Sequence, residues 1–323
     1  HGAAELRGHL HPLCSRRGYR LQRRHASIAA RPWAGRLLSK YLGERTVGLS
    51  RELNRISKGI IMKIKQIKTL LAVSVLSVGA AALQAQEAQE WIPLFNGKDL
   101  SNWTIKFTGF ELGENYRNTF RVEDGLLRVV YDEWPTFEGE FGHLFTKDSY
   151  SHYRLRLEYR FVGDQVTDGP AWAYRNNGMM LHSQSAESML LDQDFPASIE
   201  AQMLGGNGID ARPNGNVCTP GTHIEIAGEL IKRHCTNSDS ATFHGDQWVI
   251  MEIEVRGAES VKHLLNGQEV FVYGGIQLDP ESIEAAPLIA AGAPIELSAG
   301  HIAVQAETAP IEFRRIDLLP LAH

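Results

Sequence analysis

The stretch PASIEAQML, residues 196–204, alternates apolar and polar side chains with a period of two. Successive side chains of a β-strand point to opposite faces, so this stretch predicts a half-buried strand. Its polar face carries Glu200 and Gln202. These two residues either solvate the outer face of a sheet or line a site, and their spacing fits both interpretations.

The same alternation recurs from residue 91 to the end of the chain, without a helical period sustained over ten residues. Many short strands separated by Gly-rich turns predict an all-β fold, a sandwich or a barrel, in which each sheet has one core face and one wet face. About 230 residues can form one such domain. Clear examples are YRLRLEYRF (153–161), WVIMEIEVR (248–256) and HIAVQAETAPIEFRRIDLL (301–319).

Two dipeptides predict tight hairpins. Asp124-Gly125 and Asn266-Gly267 each join two alternating runs, and both favour the positive φ angles of type I′ turns. Residues 205–221 are expected to form one long loop, a kind that is often functional in a compact domain. Residues 279–293 fit one short helix or a Pro-bounded loop.

The first 85 residues differ from the rest of the chain. Residues 1–61 carry thirteen Lys and Arg against three Glu, and we interpret them as mis-annotated upstream sequence or a disordered basic segment. Residues 62–85 have a basic start, an apolar run too short to span a membrane and a small-residue end, which predicts a secretory signal peptide. The mature part, residues 86–323, is expected to be a single periplasmic or secreted β-sandwich domain without membrane insertion.

Charge and cysteine content agree with export. From residue 86 onward, seventeen basic and thirty-five acidic residues give a net charge near −18, which disfavours nucleic acid and anionic membranes as partners. The two cysteines of this part, Cys218 and Cys235, are expected to pair as a disulfide in an oxidising compartment. Two buried free thiols are the alternative, and a zinc site is disfavoured because no CxxC or spaced His pair accompanies them.

No standard catalytic motif occurs, because HExxH, GK[ST] phosphate loops, nucleophile elbows and strand-GxGxxG-helix units are all absent. Polar residues on three strands are instead the candidates for a shared wet face: His182, Glu200, Gln202, Gln305 and Glu307. A histidine and carboxylates that converge on a sheet can bind a sugar, hold a divalent cation or act as general acid and base. Equally, polar residues that alternate along a strand are most often simply solvent-facing.

Aromatic and polar residues ahead of one of these strands can form the rim of such a site. Trp172, Tyr174, Arg175 and Asn176 are the rim candidates, because aromatic rings stack on the apolar faces of sugars. His143 follows a Gly-rich turn and either reaches the site or makes a structural hydrogen bond. His223 and His244 are expected in loops, and Glu252 and Glu254 are expected to solvate a face.

Several blocks together resemble the bacterial 3-keto-disaccharide hydrolase family. WIPLFNGKDLSNW looks like the opening of that family, SIEAQMLGG like its Glu-x-Gln strand, and GHIAVQAETAPIEFRRIDLLPL like its closing strands. The resemblance spans residues 91–319. The chain departs from the family at Asn177, where Ser is commoner, and at Glu307, where many members carry His or Asp.

The resemblance implies a two-sheet antiparallel jelly-roll sandwich of the concanavalin A type, and activity on sugars oxidised to a ketone at C3. A ketone at C3 acidifies the C2 proton, so a base can remove it and the C1 substituent can leave by β-elimination, with water adding afterwards. On this hypothesis Glu200 and His182 are base or metal ligands, Gln202 and Gln305 contact substrate, and a divalent metal ion is a candidate cofactor.

Two other functions remain open on the sequence. A direct glycoside hydrolase needs two carboxylates about 5 to 9 Å apart, and Glu200 has only the non-ionisable Gln202 beside it on its strand. A non-catalytic carbohydrate-binding module would bind an oligosaccharide without turnover. All three functions share a sugar ligand.

Overall fold

The computed structural model describes residues 90–322, so the upstream segment 1–61 and the predicted signal peptide 62–85 lie outside the described residues. Seventeen strands and four short helical segments are present in the described part. The strands are β1 (Ile92–Pro93), β2 (Trp103–Phe107), β3 (Phe120–Glu123), β4 (Leu126–Val129), β5 (Gly142–Thr146), β6 (His152–Phe161), β7 (Asn176–Ser183), β8 (Ile199–Leu204), β9 (Asn216–Cys218), β10 (Thr222–Ile226), β11 (Glu229–Ile231), β12 (Cys235–Thr236), β13 (Val249–Arg256), β14 (Ser260–Leu265), β15 (Gln268–Leu278), β16 (His301–Ala306) and β17 (Ile311–Pro320). The helical segments are α1 (Ala286–Ala290) and three 3₁₀ turns, Tyr116–Asn118, Ala171–Ala173 and Ala186–Ser188.

The strands form two antiparallel sheets, which confirms the predicted all-β sandwich. The ten-stranded sheet has the order β11-β10-β15-β14-β13-β6-β17-β4-β3, with β1 paired to β17. The seven-stranded sheet has the order β12-β9-β8-β7-β16-β5-β2. The chain crosses between the sheets repeatedly, as in β5 to β6 to β7 and β16 to β17, and this is the connectivity of a jelly roll.

The inner faces of the two sheets enclose one hydrophobic core. Leu155 and Leu157 of β6 and Ile253 of β13 pack in the same buried cluster as Met179 of β7 and Ala201 of β8. All five are inaccessible to solvent. Burial of one large aliphatic side chain contributes about 1.5–3 kcal/mol, so the alternating apolar residues of both sheets stabilise the sandwich.

Both predicted hairpin turns form. Asp124 and Gly125 have φ angles of 53° and 76°, and Asn266 and Gly267 have 48° and 84°. Two consecutive positive φ angles define the type I′ turn, which matches the right-handed twist of the flanking strands. These dipeptides therefore set the register of the β3–β4 and β14–β15 hairpins.

Residues 205–221 differ from the expected single long loop. Asn216–Cys218 forms β9, which pairs with β8 and places Cys218 opposite Glu200. A three-residue strand is too short to give a visible alternation, which explains why the sequence pattern did not indicate it. His223 likewise lies on β10 rather than in a loop. Within residues 90–322, no helix is long and apolar enough to cross a membrane.

Candidate active site

A cavity of about 350 Å³ lies on the outer face of the seven-stranded sheet. Its floor is formed by β7, β8 and the end of β16, and loops form its rim. The wall contains both apolar and acidic groups. The lining residues are Trp172, Asn176, Phe195, Glu200, Gln202, Cys218, Pro220, His234, Cys235 and Glu307.

Glu200 occupies the floor of the cavity because of strand register. On β8 it lies between Met180 of β7 and Cys218 of β9. Its side chain extends across Gly178, where an added Cβ would come within 2.3 Å of the Glu200 Cγ and 2.4 Å of Oε1. A glycine at 178 is therefore required for the carboxyl group to lie against the sheet.

Glu307 brings a second carboxyl group into the same cavity. It follows the last residue of β16, and the next residue, Thr308, has a φ of 88°. The side chains of Glu200 and Glu307 are both buried, with the residues only 6% and 3% exposed. Sequence analysis placed Glu307 on the wet face, and the structure adds its proximity to Glu200.

Both carboxyl groups have a raised pKa. Burial raises the pKa of Glu200 to about 8. Burial, and then the negative charge of Glu200, raise the pKa of Glu307 well above its ordinary value. Two acids in such contact titrate as a unit, and the raised pKa of both means that the pair retains a proton at neutral pH.

Several polar atoms of this site have no hydrogen-bond partner within the described residues. They include Oε1 of Glu200, Oε2 of Glu307 and Oδ1 of Asn176. Gln202, in contrast, has its Oε1 held by the Nδ2 of Asn216 at 3.0 Å. Buried polar atoms without partners are rare in proteins, and here they concentrate where a ligand would bind.

Aromatic rings form one side of the rim. The residue Trp172 is 55% exposed, and its ring stacks on Phe141 with centroids 6.0 Å apart and 29° between the planes. Phe195 also packs against Phe141, with ring centroids 4.8 Å apart. The exposed indole beside a polar floor is the arrangement expected for a ligand with both apolar and hydroxylated faces.

The predicted disulfide is present, because Cys218 and Cys235 are bonded across β9 and β12 with Cα atoms 4.1 Å apart. It forms part of the cavity wall. Its sulfurs and a ring nitrogen of His234 lie within 4.8 Å of one another, close enough to hold a metal ion. Disulfide sulfurs are not thiolates, however, so this cluster lacks the ligands that a zinc site needs.

His143 and Gln305 lie beside the cavity rather than in its wall. They are register partners on β5 and β16, and both are fully buried. The ring of His143 packs edge-on against that of Phe195, which is a lining residue, with the centroids 5.9 Å apart. Both residues therefore lie on the expected face of the sheet, one layer behind the lining residues.

His182 does not share the cavity with Glu200, contrary to the expected shared wet face. The pairing of β7 with β16 shifts by one residue between the His301–Ser183 and Ala303–Met180 pairs, and His182 has a φ of 48°. This bulge reverses the side-chain alternation. His182 Nε2 is consequently 3.0 Å from the Gly257 carbonyl oxygen, so the structure does not bring His182 and Glu200 together as metal ligands.

Two rim candidates also lie outside the cavity wall. Arg175 has a positive φ of 42° and pairs with Asp246 at 2.7 Å. The ring of Tyr174 lies under the guanidinium of Arg212, whose Nη2 donates to the Tyr174 carbonyl oxygen. Their neighbours Trp172 and Asn176 do line the cavity.

Phe195, Pro220 and His234 are lining residues that the sequence patterns did not indicate. All three lie outside the strands, in loop segments without periodicity. Burial lowers the pKa of His234, and the nearby Glu284 acts in the opposite direction. The one signal in the sequence is that each of them lies close along the chain to a cysteine or to the PASIEAQML strand.

The oxygen donors of the cavity fit a divalent cation. Glu200, Glu307 and Asn176 each present a buried oxygen without a partner, and hard cations such as Ca²⁺, Mg²⁺ or Mn²⁺ prefer carboxylate and amide oxygens. A cation would also compensate the two adjacent carboxylates once they lose their proton. These three residues could hold the cation, and His182 is not among them.

Comparison with solved structures gives distant likenesses. A Parabacteroides distasonis protein provisionally described as a glycosyl hydrolase is 20% identical, with 72% of this chain and 100% of that chain covered and a TM-score of 0.42. Bacillus licheniformis β-glucanase is 9% identical over 73% and 100% of the two chains, with a TM-score of 0.39. A Bacillus subtilis protein of unknown function with a galectin-like fold is 10% identical over 72% and 94%, with a TM-score of 0.37. No curated protein matches the sequence.

The family comparison is more specific. Residues 90–319 match the model of the 3-keto-alpha-glucoside-1,2-lyase-like domain. This range covers nearly all of the described residues, including both carboxylates of the cavity and the disulfide, and it confirms the resemblance carried by the opening and closing motifs. The chain belongs to the 3-keto-alpha-glucoside-1,2-lyase-like domain family.

Proposed function

We propose that this protein is a carbohydrate-active enzyme that cleaves the C1–O bond of glycosides carrying a ketone at C3. One observation carries the proposal: the buried carboxyl groups of Glu200 and Glu307, each with an oxygen that lacks a hydrogen-bond partner among the described residues, line one cavity whose rim presents an exposed indole. The cavity has the size range of small-molecule sites. The family match supports the choice of a 3-keto sugar as substrate.

Glu200 acts as the base in this proposal. Its ionised carboxylate takes the C2 proton, and the electron pair of the C2–H bond forms a C2–C3 double bond while the C3 oxygen becomes negative. A pKa near 8 makes the carboxylate a stronger base than an exposed glutamate, and so suits it to abstract a carbon-bound proton near neutral pH.

Glu307 acts as the acid in the second step. The electron pair returns to restore the C3 carbonyl, a C1–C2 double bond forms, and the C1–O bond breaks. The departing alcohol oxygen takes the proton of Glu307, whose raised pKa keeps it protonated until then. Transfer of the proton from Glu200 to Glu307 resets the pair, and addition of water across the new double bond gives the hydrated product.

A divalent cation, where bound, would be held by Glu200, Glu307 and Asn176 and would supply positive charge close to the substrate oxygens. Gln202 and Asn176 contact the sugar hydroxyl groups in this arrangement. Trp172 stacks on its apolar face and excludes water from one side. Because each of these roles belongs to a residue of the cavity wall, substitution can test them individually.

Direct glycoside hydrolysis is a second candidate, favoured by the second carboxyl group in the cavity. Retaining and inverting glycosidases both use a carboxylate pair. Sequence analysis disfavoured this mechanism because only Gln202 accompanies Glu200 on its strand, and Glu307 removes that objection. The two mechanisms differ in one requirement, since only elimination needs the C3 ketone.

The test offers one chromogenic aglycone on two sugars, 3-keto-glucose and glucose. Elimination predicts release from the keto substrate alone, loss of release in Glu200→Gln and Glu307→Gln, and wild-type release in Glu252→Gln, whose side chain lies on the opposite sheet beside Arg154. Release from the ordinary glucoside would favour hydrolysis. Sugar binding without release from either substrate would indicate a carbohydrate-binding module.

We also propose that the protein is exported to the periplasm or secreted. The disulfide supports this location, because disulfides persist in oxidising compartments. The test is expression from Met62 in a Gram-negative host, followed by fractionation and mass spectrometry of the N-terminus. A periplasmic or medium fraction that begins at Gln86 is expected, and a cytoplasmic protein that retains residues 62–85 would contradict the proposal.

A further inference from the structure

Two side chains beside the cavity hold four polar atoms without a hydrogen-bond partner among the described residues. These atoms are Nδ1 and Nε2 of His143 and the amide oxygen and nitrogen of Gln305. Neither residue is exposed to solvent. Since buried polar atoms almost always have partners, the group indicates a place that a ligand or ordered water completes.

The strand register places this group next to the carboxylates. Gln305 lies opposite His143 in the β16–β5 pair, and Glu307 follows two residues later, just after the end of β16. Its backbone is held by Asn177, whose Nδ2 donates to the Gln305 carbonyl oxygen at 2.7 Å. The Phe195 ring, which lines the cavity, contacts the His143 ring edge-on at 5.9 Å.

The other fully buried histidines in residues 90–322 are held by partners. His263 lies within hydrogen-bonding distance of the Gly215 carbonyl and the Tyr273 hydroxyl, at 2.9 and 3.1 Å. His182 is 3.0 Å from the Gly257 carbonyl oxygen. His143 alone among these three lacks a partner on both ring nitrogens, so packing does not account for its polarity.

The protonation state of His143 suits a neutral hydrogen-bond donor. Burial lowers the pKa of His143 to about 3, so the ring is uncharged at neutral pH and carries one N–H group. A neutral imidazole can donate to a carbonyl oxygen and stabilise the negative charge that develops there. The Gln305 amide offers a second N–H donor from the adjacent strand.

We propose that His143 and Gln305 form an inner subsite that donates hydrogen bonds to the C3 carbonyl oxygen of the sugar, with the Phe195 ring turning aside to admit it. The subsite stabilises the oxygen as it gains charge during removal of the C2 proton by Glu200. This inference rests on the proposed function, because it assigns a position to the ketone that elimination requires.

The kinetic test replaces each donor with an apolar side chain of similar size, His143→Phe and Gln305→Met. We expect kcat on the 3-keto-glucoside to fall about 10²- to 10³-fold in each variant, the effect of removing one oxyanion donor, with KM within about threefold of wild type. Melting temperatures should stay equal or rise, because an unsatisfied buried polar group is removed. A structural histidine would give the opposite thermal result.

Phe145→Leu is the matched control. Phe145 packs on His143 at 5.9 Å but does not line the cavity, so the change disturbs the surroundings of the ring without removing a donor. Its kcat should stay near the wild-type value. If Phe145→Leu lowers kcat as much as His143→Phe, loss of packing explains the effect and the proposal is wrong.

A spectroscopic test reads the contact directly. The sugar ketone, labelled with ¹³C at C3, is bound to the inactive Glu200→Gln variant, and its carbonyl stretch should move to lower frequency than in water. The shift should disappear when His143→Phe and Gln305→Met are added. An unchanged frequency of the carbonyl stretch overturns the subsite alone. Full activity in both donor variants, while the wild-type protein turns over the keto substrate, has the same meaning. Absence of turnover by wild type overturns the proposed function with it.

Discussion

The two outer faces of the sandwich differ in whether their buried carboxylates are paired with cations. On the ten-stranded sheet, Glu312 has a side chain only 7% exposed and is paired with Arg128 at 3.1 Å and Arg160 at 2.7 Å. On the seven-stranded sheet, Glu200 and Glu307 are equally buried, and neither has a cation beside it within the described residues. One fold thus contains a compensated and an uncompensated set of acids.

The difference agrees with the proposed site on the seven-stranded face. Arginine side chains also cover the aromatic rings of the ten-stranded face, where Arg160 and Arg314 lie 4.7 and 4.5 Å from the Trp248 ring centroid. The buried carboxylate of that face is thus paired with cations of the protein itself. A desolvated carboxylate without a partner costs stability, so its presence on the other face supports the proposed interaction with a ligand.

The largest expected effect concerns catalysis. Glu200→Gln keeps the size and polarity of the side chain but removes the base, so kcat/KM on a 3-keto-glucoside should fall about 10²- to 10⁴-fold. The control Glu254→Gln alters a carboxylate near Arg154 on the opposite face and should leave kcat/KM unchanged. Turnover in Glu200→Gln within threefold of wild type would falsify the assignment of the base.

The second effect is on stability, and its sign should differ between the faces. Burial, and then the charge of Glu200, hold the folded-state pKa of Glu307 well above its unfolded value near 4.5, so the contribution of this group to wild-type stability should fall as pH rises above that value. Each pKa unit is worth about 1.4 kcal/mol. Glu307→Gln should therefore raise the free energy of unfolding at pH 8 and flatten its pH dependence.

Glu312→Gln provides the matched comparison. It removes the carboxylate that accepts a charge-assisted hydrogen bond from Arg160 and forms an ion pair with Arg128, so the free energy of unfolding should fall by about 1–3 kcal/mol at pH 8. Urea titrations of the two variants at pH 5.5 and 8 measure both effects. The same direction of change in the two variants at pH 8 would break the distinction between the faces.

Much of the sandwich follows from the sequence, because its determinants are local. The period of two fixes which residues enter the core, and Asp124-Gly125 and Asn266-Gly267 fix two hairpins through their backbone preferences. Glu200 and Gln202 are cavity residues for the same reason. Alternation on one strand predicts the face on which each side chain lies.

The residues whose positions the sequence did not predict correctly depend on interactions between distant segments of the chain. The β7 bulge that turns His182 away arises from the pairing of β7 with β16, more than a hundred residues later. The nearness of Glu307 to Glu200 depends on the same pairing and on the positive φ of Thr308. A single sequence does not give the register of strands that far apart, so it indicated the candidate acids without their contact.

A smaller effect on stability should accompany cation binding. A bound cation would compensate the carboxylates of the cavity, as arginines compensate Glu312 on the ten-stranded face. Ca²⁺ or Mn²⁺ must displace protons from the carboxyl groups of Glu200 and Glu307, so binding should strengthen from pH 6 to pH 8.5 and release protons. At about 100 times the dissociation constant, binding adds about 2.7 kcal/mol to stability. Calorimetry in buffers of different ionisation enthalpy measures the affinity for the cation and the number of protons released. Glu307→Gln is the control that should not bind the cation. Equal affinity at both pH values would place the cation outside the carboxylate pair.

The smallest effect concerns the rim. The Trp172 indole is stacked on Phe141 and largely exposed, so it can offer a flat apolar surface to a sugar without rearrangement. Trp172→Ala should raise KM about 3- to 10-fold, in line with about 0.5–1.5 kcal/mol for one aromatic contact, and leave kcat nearly unchanged. Trp91→Ala removes an indole that Arg156 covers on the other face, 4.2 Å from the ring centroid, and should leave KM unchanged. If kcat rather than KM falls in Trp172→Ala, the indole stabilises the transition state. The distinction between an acidic floor that performs the chemistry and a rim that only binds the sugar would then be wrong.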